Sequence, residues 1–197
     1  MHIARRHFMR AGAGAAVAVP AVFGATQARA AAPTAPQAPT VPQAVTDDTV
    51  ATPLQVAQQI ATSVVTKVMP DVFADNAVYL PKFALPGAPQ CIVGKDAILQ
   101  YFAAASSSPA SSALQIQELD PVYYPGSDPE VVTMEFTIKG VNTTTGKPFD
   151  FNASIGVLRV QNGRIVEWHD YSNSIGGATA AGMLPQLIGA LQTIAAQ

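Results

Sequence analysis

The chain has 197 residues, 49% of them hydrophobic, with 11 Lys+Arg against 13 Asp+Glu, which suits one domain with a true core plus extensions. The slightly acidic balance and scattered lysines exclude the basic patch that a nucleic-acid partner requires. A single cysteine, Cys91, excludes a disulfide within the chain.

The first thirty residues read as an address. Arg5-Arg6-His7-Phe8-Met9-Arg10 is basic and opens on paired arginines, Ala11 to Ala25 is small and apolar, and Ala28-Arg29-Ala30 fits an A-x-A cleavage pattern. Residues 1–30 resemble a twin-arginine export signal, which a receptor reads and which is not an anchor. The apolar stretch is short and rich in Ala and Gly for a membrane span, and no Cys stands near the cleavage site for lipid attachment. A periplasmic or extracellular location follows, with no stable membrane insertion once the signal is removed. Removal takes four arginines, leaving 7 Lys+Arg against 13 Asp+Glu and a net charge of −6. His169 is then the remaining histidine, so a Cys/His zinc site is excluded by count and no metal is expected. Residues 31–50 place Pro33, Pro36, Pro39 and Pro42 at every third position among Ala, Thr and Gln, the pattern of an extended, disordered tether.

Residues 51–176 carry the fold. Thr52-Pro53 predicts an N-cap and first helical position, and Leu54, Val56, Ala57, Ile60, Ala61, Val64, Val65 and Val68 then recur at helical spacing until Pro70. Asp71 to Ala74 reads as a short helical turn and Ala77 to Leu80 as a strand. Pro81 to Gly94 reads as a loop, and Lys95 to Ala105 as a second helix burying Ile98, Leu99 and Phe102. Ser106 to Ser112 reads as a flexible connector. Four strands follow, at 114–124, 131–140, 148–160 and 164–172, with turns at 125–129, 142–146 and Asn162-Gly163. Hairpin-linked strands after helices predict an α+β domain with an antiparallel sheet packed on the helices. Gly176-Gly177 reads as the end of the domain. Residues 177–197 read as a helical tail interrupted by Pro185 and Gly189.

The last strand carries the most chemistry. Alternation from the Asn162-Gly163 turn puts Arg164, Val166, Trp168 and Asp170 on one face, and Ile165, Glu167, His169 and Tyr171 on the other. Trp and Asp on a shared face can set a carboxylate in an aromatic-walled cavity.

Three segments together carry a family resemblance: Val72-Phe73-Ala74-Asp75-Asn76-Ala77-Val78-Tyr79, then Gly94-Lys95-Asp96-Ala97-Ile98, then Asn162 to Tyr171. They resemble the SnoaL-like branch of the nuclear-transport-factor-2-like superfamily, with polyketide cyclases, limonene epoxide hydrolases, phenazine-biosynthesis A/B proteins and ketosteroid isomerases among its members. The resemblance implies a curved antiparallel sheet wrapped round helices into a cone with an internal pocket. It also implies a general base at Asp170, as in the epoxide hydrolases, with Tyr79 matching the tyrosine that helps hold their attacking water. The asparagine that completes that water site falls on Pro81 here, and the Arg-x-Asp pair of a middle strand is absent from Thr133 to Thr137. The proton-shuttling aspartate of the isomerases falls near Pro81, and their oxyanion-hole aspartate near Ile155. The fold is shared by many chemistries, so the resemblance does not select a reaction.

The candidate catalytic pair is therefore Asp170 and Tyr79. Asp170 serves as a general base or as a paired residue at a strand end, and Tyr79 as a hydroxyl donor or as a core ring. Trp168, Val166, Phe136, Met134, Asn152 and Phe102 form the candidate pocket wall. Asn152 belongs to a polar row, Asp150, Asn152 and Ser154, that turns inward if a bulge reverses the strand. His169, Glu167 and Glu135 are expected to face outward, and Cys91 to be a small buried residue. Two function classes fit: a cofactor-independent isomerase, cyclase or hydrolase acting on a small apolar molecule, or a ligand-binding or dimeric scaffold protein without chemistry. No cofactor is expected, and the outer sheet face with Ile165 and Tyr171 suits a homodimer.

Overall fold

The computed structural model describes residues 50–85 and 87–196. The export signal and nearly all of the tether lie outside the described residues.

The first helix, α1 (Pro53–Thr66), starts where the sequence places it. The Thr52 Oγ1 accepts from the Gln55 backbone N–H and the Gln55 side chain accepts from the Thr52 N–H, a reciprocal capping box. Val56, Ala57, Ile60, Ala61 and Val64 form its buried stripe. The helix stops before Val68 and Pro70, because Lys67 takes a left-handed conformation (φ 63°) and its N–H closes on the Ser63 carbonyl at 2.7 Å.

Next in the chain are β1 (Phe73–Pro81), β2 (Ile92–Val93), α2 (Lys95–Ser106), α3 (Pro109–Ser112) and β3 (Leu114–Pro125). Then come β4 (Val131–Asn142), β5 (Pro148–Gln161), β6 (Arg164–Ser172), α4 (Ser174–Ala181) and α5 (Leu184–Ala195). The sheet order is β2-β1-β6-β5-β4-β3. All neighbours run antiparallel except β1 and β6, which are parallel. Asn162 (φ 50°) and Gly163 (φ 72°) both take positive φ, as a two-residue turn between β5 and β6 demands. The curved sheet packs its inner face on the helices: α1 lies across β3, β4 and β5, and α2 against β1. Val132, Met134, Phe136 and Ile138 of β4 are all buried on this face.

Local propensity and structure part at three places. The helical turn expected over 71–74 is instead the entry to β1, because Phe73 pairs with Ile165 of β6 and is fully buried. Tertiary pairing outweighs a weak local preference there. The connector expected over 106–112 contains α3, which Ser108 caps through the Ser111 N–H with Pro109 in the first turn. Gly176-Gly177 lies inside α4, and the chain breaks later, at Gly182 (φ 73°). Pro185 falls in the first turn of α5, where its missing N–H costs nothing.

Two bulges decide which side chains face inward. On β5, Phe136 opposes Ser154 while Thr137 opposes Asn152, so Ala153 is the extra residue. Between β5 and β6, Arg159 opposes Glu167 while Val160 opposes Ile165, so Val166 is extra. Each extra residue flips the alternation on one side of it.

Candidate functional site

Asp170 sits on the inner face of β6 and is 3% exposed. Three neighbouring strands converge on it. Tyr79 comes from β1, whose parallel register sets Tyr79 beside Trp168 and Pro81 beside Asp170. Ser172 is two residues along β6 on the same face, and Ser154 of β5 is its direct cross-strand partner. The Tyr79 hydroxyl donates to Asp170 Oδ2 at 2.6 Å, and Ser172 Oγ donates to the same oxygen at 2.6 Å. Ser154 Oγ donates to Oδ1. Among the described residues no Lys, Arg or His forms an ion pair with Asp170.

This polar corner opens on a cavity of about 70 Å³, several times the roughly 10–15 Å³ that one water needs. Its walls are apolar and aromatic: Ile60 and Val64 of α1, Tyr101 and Phe102 of α2, and Phe136 and Ile138 of β4. Trp168 closes the end beside Asp170, and Phe151 and Ala153 line it from β5. Phe83 and Leu85 of the β1–β2 loop, and Asn173 and Ser174 at the start of α4, also line the cavity. The aromatic rings pack on one another. Tyr79 lies 5.0 Å from Phe102 and 5.1 Å from Trp168 by ring centroid, both edge-on. Phe102 and Trp168 stack at 5.4 Å.

The electrostatics follow from that enclosure. Burial, reinforced by the negative charge of Asp170, holds the Tyr79 hydroxyl well above the usual tyrosine range. Burial and the same charge also raise Tyr101. Both rings therefore remain hydroxyl donors at neutral pH. The Trp168 indole passes over Gly156, where any Cβ would stand 2.9 Å from its Nε1. That nitrogen is buried and has no hydrogen-bond partner among the described residues.

Of the residues singled out from sequence, Asp170, Tyr79, Trp168, Phe136 and Phe102 meet at this cavity. Val166, Met134 and Asn152 do not line it. Val166 is the bulged residue of β6, so Ile165 takes the inward place and is fully buried, although alternation assigned it to the outer face. Met134 is fully buried in the core, near where a Gly156 Cβ would stand. Asn152 precedes the β5 bulge and is exposed; its backbone carbonyl accepts from the Asn173 side chain at 2.9 Å. The bulge splits the polar row, so Ser154 turns inward alone. Ser172 and Tyr101 escaped the sequence reading, and Ser154 entered it only as a member of the polar row that a bulge turns inward. Ser172 shares the parity of Asp170, and Tyr101 stands three residues after Ile98 on α2, so both carried a usable signal; the bulge that aims Ser154 did not.

The remaining charges lie elsewhere. Arg159 pairs with Asp128 and Glu130, Arg164 with Asp71, and His169 with Glu167 on the outer face. Glu135 accepts from the Tyr124 hydroxyl at 2.9 Å outside the cavity. Cys91 is exposed, in the loop before β2, where it has no core to join. Among the described residues no group of His, Cys, Asp and Glu is placed to hold a metal, and no helix is long and apolar enough to cross a membrane.

Comparison with known proteins agrees with this architecture. A family model described as a SnoaL-like domain matches residues 61–168, more than half of the chain. The chain is 30% identical over 105 residues to "Uncharacterized protein YesE" of Bacillus subtilis (strain 168), covering 53% of this chain and 68% of that protein. A Bacillus subtilis crystal structure named "Putative Isomerase" is similar at 26% identity with a TM-score of 0.55, over 66% of this chain and 93% of that one. The chain belongs to the SnoaL-like domain family.

Proposed function

We propose that this protein binds a small, largely apolar molecule in the cavity and that Asp170 exchanges a proton with it, or with a water beside it, without a cofactor. Isomerase, cyclase and hydrolase chemistry all fit such a step, and the name carried by the Bacillus subtilis structure is of this class. One observation carries the reading: a carboxylate 3% exposed, on the wall of an aromatic cavity, held by three hydroxyls and by no cation among the described residues. Burying such a group costs stability unless it is fully compensated, and costly polar groups in clefts concentrate at functional sites. The three donors fix the carboxylate in place and leave it facing the cavity, the geometry a general base needs. A binding protein without chemistry is the second reading, supported by the absence of the Arg-x-Asp pair from Thr133 to Thr137.

Two further parts of the proposal concern setting. The paired arginines at Arg5-Arg6 support export to the periplasm or beyond. A homodimer through the outer sheet face is supported by a row across four strands, Val122, Glu135, Ile155 and Tyr171, in which Val122 and Ile155 are exposed. Ile165 takes no part in that face, being buried.

The test is extraction of whatever small molecule the purified protein retains and its identification by mass spectrometry, beside the Asp170→Asn variant. The expected result is a bound molecule whose turnover falls by about 10²-fold or more in the variant, the usual contribution of a positioned acid or base. Equal turnover in the two proteins removes Asp170 from the chemistry, and binding without turnover in both supports the second reading.

A further inference from the structure

We infer that the molecule this cavity takes is a small protonated amine, its ammonium set against Asp170 and its apolar part walled by aromatic rings. The inference rests on the small-molecule reading above and adds the charge of the ligand to it. It comes from three features that point the same way.

The first is charge. The donors to Asp170 are hydroxyls, which return hydrogen bonds but no opposite charge. The cations of the neighbouring strands are engaged elsewhere: Arg159 with Asp128 and Glu130, Arg164 with Asp71, and Lys139 with Glu118. A carboxylate this deep gains most from a ligand that brings the missing positive charge.

The second is the count of acceptor sites. A carboxylate offers about four. Tyr79 and Ser172 fill those of Oδ2, and Ser154 fills one on Oδ1. The place left on Oδ1 suits an N–H donor. A ligand with acceptors alone, such as a ketone or carboxylate, would set lone pair against lone pair there.

The third is the wall. Tyr79, Tyr101, Phe102 and Trp168 line the cavity, each within 5.6 Å of at least two of the others by ring centroid, and aromatic rings so gathered attract an ammonium and its alkyl groups. The cavity volume of about 70 Å³ restricts the ligand to a compact one.

Trp168 is the chain's single tryptophan, so its fluorescence reports on the cavity directly. The experiment titrates the purified protein with benzylammonium, benzyl alcohol and benzoate, and with isopropylammonium and isopropanol as a smaller pair. Each ammonium is expected to bind at least about tenfold more tightly than its alcohol, with benzoate weakest. In Asp170→Asn the preference should shrink to within about twofold. Asp170→Glu, which keeps the charge, should retain a preference. Alcohols that match or exceed the ammoniums in the wild type would overturn the inference while leaving a small-molecule cavity intact. A preference that survives Asp170→Asn would overturn it as well. No response to any of the five would remove the small-molecule reading and the inference together.

Discussion

Two groups of carboxylates on this sheet follow opposite rules. At the edge, Asp128 and Glu130 meet the Arg159 guanidinium at 2.8 and 3.1 Å, with all three side chains roughly 40% exposed. Inside, Asp170 is almost completely buried and meets hydroxyls. The edge cluster has opposite charges and water at hand, so it adds little to stability and asks for no other explanation. The inner carboxylate is nearly closed off from bulk solvent and has no ion-pair partner among the described residues. A fold selected for stability alone would place an apolar side chain there, as it does at the neighbouring inward positions Leu158, Ile165 and Trp168. Under the proposed function, the contrast separates charge that decorates a surface from charge held in place for a task.

Substitutions around the two groups should differ in size accordingly. The largest structural effect is expected at Gly156. A methyl group there would stand 2.9 Å from Trp168 Nε1 and 3.1 Å from Met134 Cε, so Gly156→Ala should cost about 1–3 kcal/mol. Thermal unfolding measures the loss, and a shift in Trp168 emission shows that the cavity wall has moved. Tyr79→Phe comes next, removing one donor from the buried carboxylate at about 1–2 kcal/mol. It also changes the alkaline behaviour. The Tyr79 hydroxyl is raised in the folded state, first by burial and then by Asp170. Its contribution is complete below about pH 10, where unfolded tyrosine titrates, and is lost as the pH rises toward the folded value. Tyr79→Phe should therefore flatten the alkaline fall in stability seen by urea denaturation across that range. The smallest effect belongs to the edge. Arg159→Ala should shift the unfolding temperature only slightly, and less still in high salt. The backbone N–H of Glu130 and then Arg159 lower the Asp128 carboxyl. Its contribution is present above the ordinary carboxylate range and lost as the pH falls through the lowered value, so the variant should flatten the acid slope a little.

The same contrast explains what could be read from the residues alone. The strands were legible because inward apolar residues alternate along β4 without interruption, and because Asn162-Gly163 anchors the start of β6. Asp170 and Trp168 were legible because they lie beyond the β6 bulge and keep a shared face. Val166 and Ile165 lie at that bulge, and the simple count from the turn reverses there. Ser154 and Asn152 fared likewise on β5. Both belong to one polar row, and the extra residue at Ala153 sends one inward and leaves the other exposed. A bulge arises from strand curvature imposed by the whole sheet, so no local pattern marks its position. The same holds for Phe73, whose strand state depends on a partner more than ninety residues away.

The most direct test of the contrast is the unfolding temperature of Asp170→Asn beside the wild type, both freed of bound small molecules. If the carboxylate is held for function at a cost to the fold, the near-isosteric neutral side chain should leave the unfolding temperature unchanged or raise it by a few degrees, on the order of 1 kcal/mol. A fall corresponding to about 3 kcal/mol or more would show that Asp170 is a structural keystone of the β1–β6–β5 junction, and would contradict the account.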